Sequence, residues 1–306
     1  MAAPPEDVPG EVPPAAPAVA ATAIAEEEPA APPLPAEPRG GDMVYRHRWP
    51  TRIWHWVNAV TVIVMLMSGL MIFNAHPRLY WGEYGANYDR AWLQIGGNQS
   101  RGYLRVGTIM VPTTGLLGHW KDKNGNLSNR AFPWWSTIPS GYSLAMARRW
   151  HLLFAWLLVV PGLIFWLTSF LNRHVQRDLA PKKAELAPRH IWNDIKNHAR
   201  LHFPQGAAAR DYNILQKASY LGVLFLLLPL MVLTGLAMSP SMNAAWPWLL
   251  ELLGGRQSAR SIHFITAALL LGFIIVHLIM VVLAGPFNEI RSMITGRYRL
   301  PKEEGA

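Results

Sequence analysis

The 306-residue sequence predicts an all-α integral membrane protein, a four-helix bundle with a long outer-side loop. Three observations carry that prediction. Four windows, Ile53–Phe73, Trp150–Phe170, Ala218–Met238 and Ile262–Ala284, hold no Asp, Glu, Lys or Arg over 21 to 23 residues, and about 20 such residues cross a hydrocarbon core. Several of the 14 tryptophans (Trp54, Trp56, Trp150, Trp246, Trp248) stand at window ends, where amphipathic rings settle at the membrane–water interface. The last window carries His263 and His277, and a polar ring at membrane depth needs a specific partner because lipid supplies none.

Composition excludes several chemistries. With no cysteine, the chain can form no disulfide, thiolate-bound zinc, iron–sulfur cluster or covalently attached c-type haem. The formal charge of +9 does not point to nucleic acid, since the basic residues are spread over loops and helix flanks. Membrane topology accounts for them.

Residues 1–42 are almost entirely Ala, Pro, Glu and Gly without an apolar block behind a basic start. They read as a disordered cytoplasmic tail rather than a signal peptide. The membrane domain then runs over residues 43–300, with a short tail at 301–306. If the N-terminus is cytoplasmic, the inner side collects twelve cations near the window ends: Arg46, Arg48, Arg52, Arg173, Arg177, Lys182, Lys183, Arg210, Lys217, Arg291, Arg297 and Arg299. The outer side has five, Arg78, Arg148, Arg149, Arg256 and Arg260. The excess places both termini inside, in the bacterial cytoplasmic membrane.

The first helix, about 53–73, carries His55 near its inner end. The outer connection, 74–149, is rich in Gly, Trp and Tyr and too long to be structureless, so short helices are expected to build a cap there. Its mildly apolar stretch Leu104–Leu117 is expected to lie on the membrane or over the helices. His76 and His119 in this cap are expected to be surface hydrogen-bonders. The second helix, about 150–170, opens with His151 at the outer side. A basic inner loop, 171–217, follows, and its His174, His190, His198 and His202 sit among solvated charges. The third helix, about 218–238, has Pro229 in its interior and no histidine, which predicts a kink. The fourth, about 262–284, returns inward.

Alternating direction now sets the depth of each helix histidine. His151 and His263 fall together near the outer surface, and His55 and His277 near the inner one. On the fourth helix the two are 14 residues apart, which is about 21 Å of rise and a return to within about 40° of the same direction. Two imidazoles facing each other across a bundle can hold a haem iron by both axial positions, an arrangement suited to electron transfer. Zinc would need a third or fourth protein ligand, and no Asp, Glu or Cys lies at these depths. Ser68, Gly69, Gly162, Gly222, Gly235 and Gly272 are small enough to admit a flat macrocycle, or simply to let helices pack closely. Arg148, Arg149 and Arg260 beside the outer pair are candidates for haem propionates, with lipid headgroups as the alternative.

On Arg52-Ile-Trp-His55-Trp, Arg149-Trp-His151, the His263 to His277 spacing and Tyr212-Asn-Ile-Leu-Gln-Lys217, the sequence resembles the four-helix di-haem cytochrome b family of bacterial respiratory membrane subunits. That family serves Ni–Fe hydrogenases, formate dehydrogenases and thiosulfate reductases. The outer segment from His76 to Glu83 is most similar to the thiosulfate-reductase-like branch. The resemblance implies two haem b groups and an electron-transfer subunit of an oxidoreductase complex. It implies a quinone near the inner haem, beside Asn213, Gln216 and Lys217, and an outer-side redox partner subunit, a molybdenum enzyme being one candidate. Read without the family, Asn213 and Gln216 serve equally well as an interfacial helix start. Two other functions stay open at this point. One is a stand-alone cytochrome b reacting with a small oxidant; the other is a haem-free transporter or proton channel with histidine relays.

Overall fold

The computed structural model describes residues 40–173, 180–182, 185–200 and 213–301. His174, His202, Tyr212, most of the 1–42 tail and the end of the chain lie outside the described residues, as does the side chain of His198. A short strand β1 (Met43–Tyr45) leads into α1 (Trp49–Phe73), whose first turn contains Pro50, a residue that needs no amide hydrogen there. The outer segment then forms β2 (Arg78–Leu79), β3 (Leu93–Gly97), β4 (Gly102–Val106), β5 (Ile109–Pro112), β6 (Trp120–Lys121) and β7 (Leu127–Ser128). Ser143 caps α2 (Leu144–Leu171) by accepting the Met146 amide hydrogen at 3.3 Å. On the inner side lies α3 (Pro188–Ala199).

The third span is α4 (Ile214–Gly222), a π-helical turn over Val223–Leu227, and α5 (Leu228–Met238). The π turn sits immediately before Pro229, whose ring cannot share space with the carbonyl four residues back and which has no N–H to give. The expected kink is thus a local widening of the helix. Two short helices, α6 (Pro240–Ala245) and α7 (Pro247–Leu252), turn the chain into α8 (Arg256–Leu283). The amphipathic α9 (Pro286–Thr295) and β8 (Arg297–Arg299) close the inner end, where β8 pairs antiparallel with β1 in the register Met43↔Arg299 and Tyr45↔Arg297.

All four membrane spans are present, and each begins four to six residues before the charge-free window that predicted it. Arg52, Arg148, Arg149, Lys217, Arg256 and Arg260 lie inside the helices. A long cationic side chain near a helix end can reach the interface while its backbone stays helical. Few large apolar side chains on the spans are buried and many are exposed, as expected of surfaces facing lipid. The fully buried positions between helices are small and often hydroxylic, among them Thr61, Ser68, Thr234, Ser261 and Thr266. α1 packs along α2, and α5 along α8.

The cap corrects the sequence expectation of short helices and of an all-α chain. It is built on an antiparallel sheet in the order β2-β3-β4-β5, with β6 and β7 forming a separate hairpin. Leu104–Leu117, expected to lie on the membrane or over the helices, supplies most of β4, all of β5 and the turn that follows. A two-residue connection, Gly107-Thr108, joins the two strands, and Gly107 takes a positive φ of 59° there. His119 is also not a surface residue: it is buried, and its Nδ1 lies 2.6 Å from Asn129 Oδ1. Leu79, Leu93, Ile95 and Ala131 make a core that continues into the membrane domain through Phe73 of α1 and Phe264 of α8.

Polar bonds seat the cap on the same two helix ends. Asn74 Nδ2 donates to Phe132 O (3.1 Å) and its Oδ1 accepts from Phe132 N (2.7 Å). On α8, Ser258 Oγ accepts from Gly82 N (2.7 Å), and Ser261 Oγ accepts from Trp92 Nε1 (2.9 Å) while donating to Tyr80 O (2.5 Å). The cap is therefore tied to the turns of α8 that lead into His263.

Candidate haem and redox site

His151 is the eighth residue of α2 and His263 the eighth of α8. Their rings face each other with centroids 6.2 Å apart and planes at 59°. At the other end of the bundle, His55 of α1 and His277 of α8 face each other at 6.4 Å and 58°. The structure thus brings together the two pairs that depth alone predicted. A metal–nitrogen bond is about 2 Å and the centre of an imidazole lies about 1 Å behind its nitrogen, so two rings on opposite sides of one iron have centroids about 6 Å apart. Both pairs fit that spacing.

The outer pair is also fixed in tautomer. His151 Nδ1 lies 3.1 Å from Met65 O and 3.1 Å from Ser68 Oγ, whose own hydroxyl donates to the same carbonyl. A carbonyl only accepts, so the proton is on Nδ1 and the lone pair of Nε2 is left for a metal. Thr234 does the same for His263. Its hydroxyl donates to Leu230 O one turn back (2.6 Å) and accepts Nδ1–H of His263 (2.8 Å). Gly69 and Gly235 lie against these two rings, where a Cβ would already stand 3.5 and 3.6 Å from a ring carbon. A methyl at either place would stand in ordinary van der Waals contact with the ring. Gly272 plays no such part, since it lies about 180° around α8 from His263 and is exposed.

The inner pair is less constrained. His55 Nδ1 is buried without a hydrogen-bond partner among the described residues. The ring stands edge-on to Trp56 (5.2 Å, 89°), and His277 stacks on Phe273 (5.9 Å, 14°). Among the described residues, no group of three or more His, Cys, Asp or Glu side chains could hold a metal ion. The donor set is therefore imidazoles in twos, which suits a macrocycle that brings its own four equatorial nitrogens.

The arginines divide by geometry. Arg149 is exposed and lies about 160° around α2 from His151, whereas Arg148, also exposed, is about 60° away. Arg260 is engaged elsewhere, because its guanidinium donates to the carbonyls of Arg78 (3.2 Å) and His76 (2.5 Å) and sits over the Phe73 ring, clamping the cap to α8. The residues expected near a quinone are engaged too. Asn213 and Gln216 form a reciprocal capping box at the start of α4, with Gln216 N donating to Asn213 Oδ1 (2.9 Å) and Asn213 N to Gln216 Oε1 (3.3 Å). Lys217 is buried and bonded through Nζ to both carboxylate oxygens of Glu185 at 2.8 Å. Helix initiation and an ion pair explain why these three residues stand together.

Sequence reading missed the partners of the histidines. Thr234 is signalled only as a hydroxyl inside an apolar span, and Ser68 only as a small residue. It also missed a polar cluster at the inner end, where Arg46 Nη1 lies 3.7 Å from Glu289 Oε2 and the guanidinium stacks 4.6 Å over the Tyr298 ring. Burial pushes the Glu289 carboxyl above its ordinary range and the Arg46 charge pulls it back. Neighbouring His47 is pushed down to about 4 by burial and by the charge of Arg46. Residues 46 and 289 lie at opposite ends of the chain, so no spacing announces them.

Four apolar spans with histidines paired across them define a multi-pass membrane cytochrome of b type. More narrowly, the chain belongs to the prokaryotic cytochrome b561 family, whose model matches residues 46–296. It is 26% identical over 235 residues to a putative protein-methionine-sulfoxide reductase subunit YedZ1 of Azospira oryzae, covering 76% of this chain and 87% of that one. It is 22% identical over 274 residues to a probable Ni/Fe-hydrogenase B-type cytochrome subunit of Cupriavidus necator, covering 85% and 88%. No solved structure matches the chain. The family implies haem b and membrane electron transfer.

Proposed function

We propose that this protein is a di-haem b-type cytochrome subunit that carries electrons between the quinone pool of the bacterial cytoplasmic membrane and a redox partner on the outer side. In this reading His151 and His263 hold the outer haem, and His55 and His277 the inner one. The haems supply reversible one-electron chemistry; the chain's part is to fix their depth and surroundings. The observation that carries the reading is the repetition of one geometry, facing imidazoles at 6.2 and 6.4 Å, at two levels of a single bundle. Were each haem held by its pair of imidazoles, neither iron would be left open to an oxidant, which favours a relay over a stand-alone oxidase. Arg148, on the His151 side of α2, is the arginine best placed for an outer propionate. Arg149 is read as an interfacial anchor.

The two relatives are named as subunits of different enzymes, so the partner here is read as a separate catalytic redox subunit. The cap offers it a surface: all four residues of the edge strand β5 are exposed, Ile109, Met110 and Val111 among them. Both termini are cytoplasmic in this reading. The test is haem quantified per polypeptide on the purified protein, with the dithionite-reduced spectrum. Two b-type haems per chain are expected; one would overturn the di-haem reading, and a featureless spectrum would return the chain to the transporter class.

A further inference from the structure

Where α1 begins, a groove of about 360 Å³ separates it from α9, lined by Arg52, Ile53, Trp56, Val57, Met293 and Ile294. It is open to the side, since Ile53 and Ile294 are each 55% exposed. Along α1 the order is charged first and apolar after. Arg48 stands just before the first residue of the helix, and Arg52 follows one turn on, about 40° around the axis. Ile53, Trp56 and Val57 carry the wall deeper into the span, so that Arg48 and Val57 are separated by about 13 Å of rise. α9 supplies the facing wall. Its Phe287, Ile290 and Ile294 are exposed on one side, the pattern of a helix lying in a membrane surface with that face in lipid.

The cations at the helix start are not matched by the chain itself. Neither Arg48 nor Arg52 pairs with a carboxylate among the described residues, and Arg52 Nε is buried without a hydrogen-bond acceptor there. The Arg52 guanidinium donates through Nη2 to the carbonyl of Ile294, and Trp56 Nε1 donates to the carbonyl of Met293 (3.2 Å). Both bonds fix one wall of the groove to the other. On β8, which follows α9, Arg297 and Arg299 are exposed and add to the positive charge at this end of the bundle.

We propose that this groove holds an anionic phospholipid of the adjoining leaflet, its phosphodiester on Arg48 and Arg52 and one acyl chain along Ile53, Trp56, Val57 and Ile294. A charged head followed by a long apolar tail matches cations at the helix start followed by an apolar wall. A phosphodiester also presents several acceptor oxygens, which a guanidinium fork takes together. Charge selects the headgroup: a zwitterionic lipid would set its own cation beside Arg48, whereas an anionic one meets a basic cluster of the kind that binds such lipids. The site needs only the membrane spans, and it stands apart from the haems and the quinone. Its occupant braces α9 against the turns of α1 on either side of His55.

The test uses the full-length protein in detergent, titrated with phosphatidylglycerol or phosphatidylcholine of identical chains and read by native mass spectrometry. A phosphatidylglycerol with a diazirine in one acyl chain maps the site by peptide. Phosphatidylglycerol is expected to be retained several-fold over phosphatidylcholine, with label on peptides containing residues 53–57 and 293–294. Arg48→Gln breaks no side-chain contact among the described residues, and it should cut that preference several-fold. Val57→Trp fills the groove and should remove the label from both peptides. Equal retention of the two lipids, or an unchanged preference in Arg48→Gln, overturns the anionic site. Label spread evenly over the four spans, or unmoved by Val57→Trp, overturns the groove as its place. Label displaced by inorganic phosphate makes this a free-anion site, and label displaced by a short-chain quinone but not by unlabelled phosphatidylglycerol makes it a quinone site; either result overturns the proposal.

Discussion

Thr234→Val removes one hydroxyl from the outer site and keeps its shape. The residue is fully buried, and its Oγ1 is the acceptor for Nδ1–H of His263 at 2.8 Å. After the substitution that N–H is left in an apolar interior without a partner, which costs about 1–3 kcal/mol. Loss of an outer-shell partner of a metal-bound histidine independently weakens metal affinity by about 10 to 100-fold, or roughly 1.4 to 2.8 kcal/mol at 1.4 kcal/mol per factor of ten. The two estimates agree. The bond also makes the imidazole more basic, and a more basic ligand favours the ferric state. Its loss should therefore raise the outer midpoint potential, with about 59 mV for each tenfold of differential affinity between the two oxidation states. The assay is a redox titration of the purified variant together with the rate of haem transfer to an apoprotein acceptor. Faster loss and a higher potential for one haem, with the other unmoved, are expected. Unchanged retention and potentials, or equal shifts of both haems, would refute the link from Thr234 through His263 to a single iron.

The arginines give a paired expectation: Arg148→Gln should lower the outer midpoint potential by removing a cation that favours the reduced state, while Arg149→Gln should move neither haem, both read by redox titration. Arg260→Gln should leave the spans folded but release the cap, seen as faster limited proteolysis within residues 77–130, because two carbonyls lose their donor. His47 gives a pH dependence. Its imidazole is held at about 4 by burial and by Arg46, against an unfolded value of 6.5, so the folded state binds the proton less readily than the unfolded one. The stability it contributes is complete above pH 6.5 and is lost as pH falls toward 4. Hydrogen exchange of the Arg46 and Leu300 amides, which donate to Gly296 O (2.8 Å) and Asp42 O (2.9 Å) at the two ends of the β1–β8 pair, should accelerate over that window, and less so in His47→Gln.

How far the sequence reaches depends on whether a feature is local. Charge-free windows report the solvent that a helix must meet, and they located every span while starting each late, since Arg52 and Arg256 belong to helices whose ends lie at the interface. Histidine depth follows from span direction, so the pairs His151/His263 and His55/His277 are legible in the chain itself. The cap is not. Its strands gain stability from partners such as Leu93 opposite Val106, and short runs rich in glycine and aromatics carry no period that separates strand from helix. Thr234 beside His263 and Arg46 beside Glu289 are tertiary contacts between distant segments, invisible to spacing. Asn213 and Gln216 are legible as a helix start, since their separation of three is a capping-box signature and the box forms.

The most direct test of the account replaces each of the four histidines in turn with alanine and counts haem per polypeptide, with the reduced spectrum identifying which haem remains. His151→Ala and His263→Ala should each lose the same, outer haem and keep the inner one. His55→Ala and His277→Ala should each lose the inner haem and keep the outer. Loss of one and the same haem in His55→Ala and His151→Ala, or full haem content in any of the four, would contradict the pairing on which everything else depends.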